Sequence, residues 1–272
     1  MTGKNYRKSC TEGVSESIGF LLIFTLVIVG IGLVTLYGYP MLLQQQTSAD
    51  EQIMQKNMIV LQNDVKSLAY KTVPYKETSL KVGGGTLKVF NSSYTPSTSS
   101  IKIYDSSVNP PFVDLFHSGD LMYSSDSAGT DISLQNGAVV SRRHVEPGSV
   151  MLAEPRWFYD GQTNTMVINL VNITSTETLS RAGVGTVQMA LGEPQFNKTD
   201  VLDTIPLVPP VYLEYSPHPV QDYSIAWDNY FQKTLGMTWI SGTPGTGVML
   251  KYQLPPTTTL VIKQYEVNIR SL

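Results

Sequence analysis

Residues 17–49 carry no charged side chain, and within them 18–34 is apolar apart from Thr25 and the glycines Gly19, Gly30 and Gly32. A helix needs about 20 apolar residues to cross the hydrocarbon core of a bilayer, and this run suffices before Tyr37 and Tyr39 are counted. Everything after Asp50 is more polar, and most of it is patterned for strands. The chain therefore has to be built as a membrane-length apolar helix followed by a folded body.

Lys4, Arg7 and Lys8 precede the apolar run, and the first charges after it are Asp50 and Glu51. Positive charge next to a span favours the cytoplasmic side, so the expected topology is a single pass with the N-terminus inside and the C-terminal domain outside. A secretory signal would have a shorter apolar region, about 7–15 residues, followed by a small-residue cleavage site. Tyr37-Gly38-Tyr39-Pro40 is not such a site. A plain transmembrane anchor remains a competing reading.

Helical periodicity continues beyond the apolar run. Met54, Met58, Leu61, Val65 and Leu68 share one helical face, with Gln52, Gln55, Lys56, Gln62, Asp64 and Lys66 between them. Pro40 is expected to disturb the helix near the outer membrane face, and Pro74 to end it. A helix over 14–73 follows, membrane-spanning over about 17–39 and amphipathic over about 41–70. Its 14–70 portion would be roughly 85 Å long at about 1.5 Å per residue.

The order of basic tail, Glu12-Gly13, Val14-Ser15-Glu16-Ser17-Ile18-Gly19 and then the apolar run resembles the start of archaeal type IV pilin-like proteins. The resemblance implies a leader of residues 1–13, cut between Gly13 and Val14 by a prepilin-type leader peptidase, with the helix retained in the mature protein. Glu16 would be third after the cut, whereas bacterial type IV pilins carry Glu fifth, so the usual pairing of that Glu with a neighbour's α-amino group does not transfer. The hairpin Leu134-Gln135-Asn136-Gly137-Ala138 and the strand ending at Glu154-Pro155 are also similar to the outer part of large pilin-like proteins. The implied role is a surface structural protein, anchored in the membrane before assembly and then a filament or minor or tip subunit. Copies of itself or other pilin-like subunits would be its partners. Gly19, Gly30, Gly32 and Gly38 would let helices approach closely. The competing reading is a tethered, non-polymerising extracellular domain that binds a carbohydrate or an envelope protein.

The body is expected over 75–272 as a mainly β, sandwich-like domain with one short helix over 224–235, stopped by Gly236. Strands are expected over 79–82 and 86–90, a hairpin around Gly83-Gly84-Gly85. Further strands are expected over 100–104, 113–116, 121–124, 131–134, 138–142, 149–159, 165–173, 184–191, 211–215, 248–252 and 259–269. Asn136-Gly137 between apolar flanks marks a tight hairpin, and residues 167–173 suit a strand buried on both faces. Residues 200–210, 241–247 and 255–258 read as connections.

Composition excludes several functions. The formal charge is −3, and removal of Lys4, Arg7, Lys8 and Glu12, a net +2, leaves about −5. No nucleic-acid footprint exists at that balance. Cys10, the only cysteine, lies in the leader, so the mature body would fold without disulfides. His117, His144 and His218 are far apart, Gly83-Gly84-Gly85-Thr86 lacks the lysine of a phosphate loop, and no nucleophile elbow occurs. No catalytic, cofactor or metal site is expected. Asp120, Asp126 and Asp131 crowd a short stretch, but turn chemistry accounts for them as well as calcium does. Asn91, Asn172 and Asn197 open Asn-x-Ser/Thr sequons on the expected outer side, where glycans could attach.

Overall fold

The computed structural model describes residues 12–71, 73–91, 98–105, 110–127, 129–145, 148–192, 200–201, 210–218 and 220–272. The leader through residue 11, the sequon at Asn197 and the Ser/Thr/Pro stretch 92–97 lie outside the described residues. The chain divides into two compact units between Ala49 and Asp50.

The described residues of the first unit are helical. Helix α1 spans Glu12–Leu33, a π-helical turn covers Val34–Gly38, and α2 spans Tyr39–Lys71 and runs on into the second unit. The π turn has a local cause. Pro40 has no N–H and its ring crowds the carbonyl four residues back. Just before it the ladder slips to a five-residue step, with the Tyr39 N–H donating to the Val34 carbonyl.

The second unit is mainly β, with two sheets and one short helix besides α2. Its strands are β1 Tyr75–Phe90, β2 Ser100–Asp105, β3 Val113–His117, β4 Asp120–Ser125, β5 Thr130–Gln135, β6 Ala138–Arg143, β7 Ser149–Ala153 and β8 Phe158–Asp160. They continue with β9 Thr165–Thr174, β10 Ser180–Leu191, β11 Asp200–Val201, β12 Val211–Ser216, β13 Thr238–Ser241, β14 Leu250–Gln253 and β15 Thr259–Ser271. Helix α3 covers Ser224–Asn229 and passes into a π-helical turn Tyr230–Thr234, and Gly236 follows in the left-handed region at φ 68°. The large sheet has the order β7-β6-β5-β4-β1-β10-β15-β9-β8, with β11 also paired to β15. The small sheet has the order β13-β14-β12-β2-β3. Pairing is antiparallel except between β15 and β9, where Thr259 faces Thr165 and Asn268 faces Thr174.

The large sheet is covered on both sides. On one side lies the amphipathic half of α2, whose Met54, Met58, Leu61, Val65 and Leu68 share a core with Leu121, Leu134, Val139, Val171, Val187 and Val267. On the other side lie the small sheet and α3, with Ile103, Leu213, Trp227 and Phe231 packed with Val140, Ile168, Leu170 and Leu260. Val139 and Val140 belong to opposite cores, as do Leu170 and Val171. That is the period-2 geometry of a strand buried on both faces, as the run at 167–173 suggests.

Several boundaries differ from the expectation. The glycines at 83–85 do not turn the chain. They sit inside β1, which pairs with β10 over Tyr75–Val82 and again, with a register shift, at Leu87 and Lys88, and with β4 over Gly85–Phe90. Gly84 has φ 61°, and a Cβ on Gly85 would stand 2.2 Å from the Ser124 carbonyl oxygen. The tract permits a bulge and a close strand approach. The freed carbonyls are taken up by the Tyr123 hydroxyl on Gly83 (2.7 Å) and the Asp126 N–H on Gly84 (2.9 Å). The strand expected over 149–159 is two strands, with β7 on β6 and β8 on β9, broken at Glu154-Pro155. Strands β11 and β13 fall where connections were expected or where no strand was foreseen.

Candidate functional site

The strongest functional feature is the surface of the apolar helix. From Ile18 to Leu43 its large apolar side chains are between 45% and 73% exposed. A core helix of the same composition would be buried. Among the described residues this is one helix long and apolar enough to cross a membrane. Its hydroxyls are also compatible with lipid. Thr25 donates to the Leu21 carbonyl at 2.7 Å, Thr35 to Ile31 at 2.8 Å and Thr47 to Leu43 at 2.9 Å. Hydrocarbon supplies no hydrogen-bond partner, and these side chains need none from outside their own helix. A Cβ on Gly19, Gly30 or Gly32 would meet nothing within 4 Å, and on Gly38 only Val34 Cγ1 at 3.6 Å. Among the described residues nothing fills the notches they leave. Gly13 and Val14 lie in the first turns of α1.

Among the described residues no metal cluster competes with that surface. Among the described residues no three His, Cys, Asp or Glu side chains converge as a cation site. His117, His144 and His218 stay apart in role. His144 Nε2 lies 2.7 Å from Asp131, and His218 Nδ1 accepts the N–H groups of Val220 and Gln221. Burial, reinforced by Arg142, holds the His218 ring below the ordinary histidine range. Asp120 and Asp131 are strand residues rather than loop ligands. Asp131 accepts from Ser124 at 2.7 Å, and Asp120 accepts from Ser133 at 3.1 Å.

Asp120 has a measurable consequence. Burial raises its carboxyl from 3.8 to about 7; the Ser133 hydroxyl opposes the shift and the Asp131 carboxylate adds to it. The folded state therefore binds more protons than the unfolded chain between about pH 4 and pH 7. Stability contributed by Asp120 is full at low pH and is lost as pH rises through that window, on the order of 4 kcal/mol at the limit. His218, with its depressed value, acts in the opposite sense below its ordinary range. Asp120→Asn should flatten the decline between pH 5 and pH 8 and make the variant more stable than wild type at pH 8. Denaturant melts at the two pH values check this, and an unchanged slope would exclude Asp120 as its source.

The sequons fare differently. Asn91 is 8% exposed and its amide donates to the Ser175 carbonyl. Asn172 is half-buried within β9. In the trio Trp157-Phe158-Tyr159, Trp157 is core and donates to the Asn169 carbonyl at 2.7 Å, while Phe158 turns outward.

One residue was hidden by its polarity. Gln62 is 1% exposed, and its amide donates to the Gly137 carbonyl at 2.8 Å and the Glu154 carbonyl at 2.9 Å. It ties α2 to the β5–β6 hairpin turn, where Asn136 and Gly137 both have positive φ. Its position four after Met58 and three before Val65 is the available signal, since that spacing puts it on the buried face.

A family model described as a family of unknown function, DUF7289, matches residues 12–270. No curated protein and no solved structure matches the chain. The family match begins in the first turn of α1 and ends in β15, so it takes in the apolar helix and the β body together.

Proposed function

Given that the chain belongs to the DUF7289 family, we propose that it is a pilin-like surface protein, anchored by its helix in the membrane and then assembled as a filament or minor or tip subunit. The C-terminal body faces the outside, the basic residues 1–13 are removed by a leader peptidase after Gly13, and the partners are further copies or related subunits. The observation that carries this reading is the bare apolar helix from Ile18 to Leu43 with unfilled notches at Gly19, Gly30 and Gly32. Such a surface must be covered by lipid or by other helices. Lipid covers it without using the notches, whereas helix packing uses small residues to bring backbones together.

The test is the Gly30→Leu/Gly32→Leu variant. Leucine is as compatible with lipid as glycine and closes the notches. Wild-type protein should be recovered from sheared surface material with the mass of residues 14–272, and the variant should lose that material at unchanged membrane level. Wild-type protein that never leaves the detergent-soluble membrane fraction favours the tethered binding domain instead.

A further inference from the structure

We infer that a cleft at the C-terminal end of α2 binds an acidic carbohydrate, one that presents a uronate carboxylate on a pyranose ring. The cleft holds about 420 Å³ and lies wholly in the β body, where α2 ends and leaves strands β8, β9 and β15 uncovered. That volume is within the usual small-molecule range of about 300–1,000 Å³.

The register of the strands builds the site in rows. Phe158, Val167 and Val261 are cross-strand neighbours and form an apolar row. Asn169 and Lys263 form the next row. Tyr70 from α2 and Tyr265 from β15 meet edge to face at 5.2 Å, and the Arg156 guanidinium lies 4.8 Å from the centre of the Tyr70 ring. An apolar floor beside tyrosine side chains suits a pyranose chair, which has a C–H face and a polar rim.

Charge selects the acid. The cleft is lined by two cations, Arg156 and Lys263, and by no acidic side chain. Among the described residues neither cation is in an ion pair. Arg156 is also pre-positioned. Its backbone carbonyl accepts from the Asn169 amide, its neighbours Pro155 and Trp157 are buried, and its guanidinium is stacked on Tyr70. A fixed planar fork recognises a carboxylate bidentately with little further ordering. Burial, and then the neighbouring Tyr265 hydroxyl, hold the Tyr70 phenol in its neutral form, able to donate and accept.

The experiment uses the full chain in detergent micelles, titrated with a galacturonate tetrasaccharide and followed by ligand-observed NMR. Saturable binding is expected. The same tetrasaccharide with its carboxylates reduced to alcohols should bind at least about tenfold more weakly, as should the acid with Arg156→Met or Lys263→Gln. Both side chains are exposed, so the variants should keep the wild-type melting temperature. Tyr265→Phe, which keeps the ring, should bind better than Tyr265→Ala. The inference is overturned if no binding is seen, if the reduced sugar binds equally, or if sulfate or hexaglutamate displaces the sugar at equal concentration. The last outcome would mark a general anion site or an acidic-peptide site. These results do not depend on assembly, so they stand or fall apart from the pilin-like reading.

Discussion

Started at Tyr75, the β body will not fold, and started at Asp50 it will. The sequence alone suggests 75–272 as the domain, but the compact unit begins at Asp50 because the amphipathic half of α2 belongs to its core. Met54, Met58 and Leu61 are 0% exposed, as is Leu68, and Val65 is 1% exposed. Burying a side chain of this kind contributes about 1.5–3 kcal/mol. Five of them together rival the entire net stability of a typical domain, about 5–15 kcal/mol. Their removal would also expose the sheet face formed by Leu121, Leu134, Val187 and Met189 and take the Gln62 donor from the carbonyls of Gly137 and Glu154. The 50–272 fragment should be a soluble monomer with dispersed amide NMR signals. The 75–272 fragment should be insoluble or give collapsed signals. Equal melting temperatures for the two would show that the helix is dispensable to the body.

The second large effect concerns the membrane. Leu26→Asp combined with Val29→Asp should move the full-length protein out of the alkaline-carbonate-resistant membrane pellet. Each carboxylate near the centre of a span costs about 2.5–3.5 kcal/mol on insertion scales. Together they shift partitioning by roughly three to five orders of magnitude. Leu26 is 69% exposed and Val29 53% exposed, and neither belongs to a core of the body. The body should therefore keep its near-ultraviolet circular dichroism while the membrane fraction falls. Wild-type retention of the double variant in the pellet would exclude the helix as the anchor. The experiment does not separate a filament subunit from a tethered domain, which the glycine variant does.

Much of the local structure was legible because it is written in short-range patterns. The spacing of Met54, Met58, Leu61, Val65 and Leu68 specifies a helix face whatever covers it. Asn136-Gly137 specifies a tight hairpin because both residues tolerate positive φ, and both adopt it. Gly236 ends the α3 region for the same reason. Ambiguity entered where one residue type serves two ends. A glycine tract signals a turn and a close backbone approach alike, and only the Ser124 carbonyl beside Gly85 decides for the second. The short partner of β9 is hidden in the sequence because 149–159 is continuous in pattern, while its two halves pair with different strands. Strand β13 carries four exposed residues and so shows no alternation to read.

The sequence by itself determined that an apolar helix of membrane length precedes a β-rich body, which face of the amphipathic half of α2 is buried, and that the run at 167–173 is buried on both faces. Periodicity encodes those properties residue by residue. The tertiary structure decided what lies against each face. It set the strand order β4-β1-β10-β15-β9, made half of α2 part of the body, pushed the Asp120 carboxyl up by burying it and gathered Tyr70, Arg156, Lys263 and Tyr265 around one cleft. Those residues come from positions far apart in the chain, and a local pattern says that a surface must be covered without naming its cover. The partners follow from how all the elements satisfy burial and hydrogen bonding together.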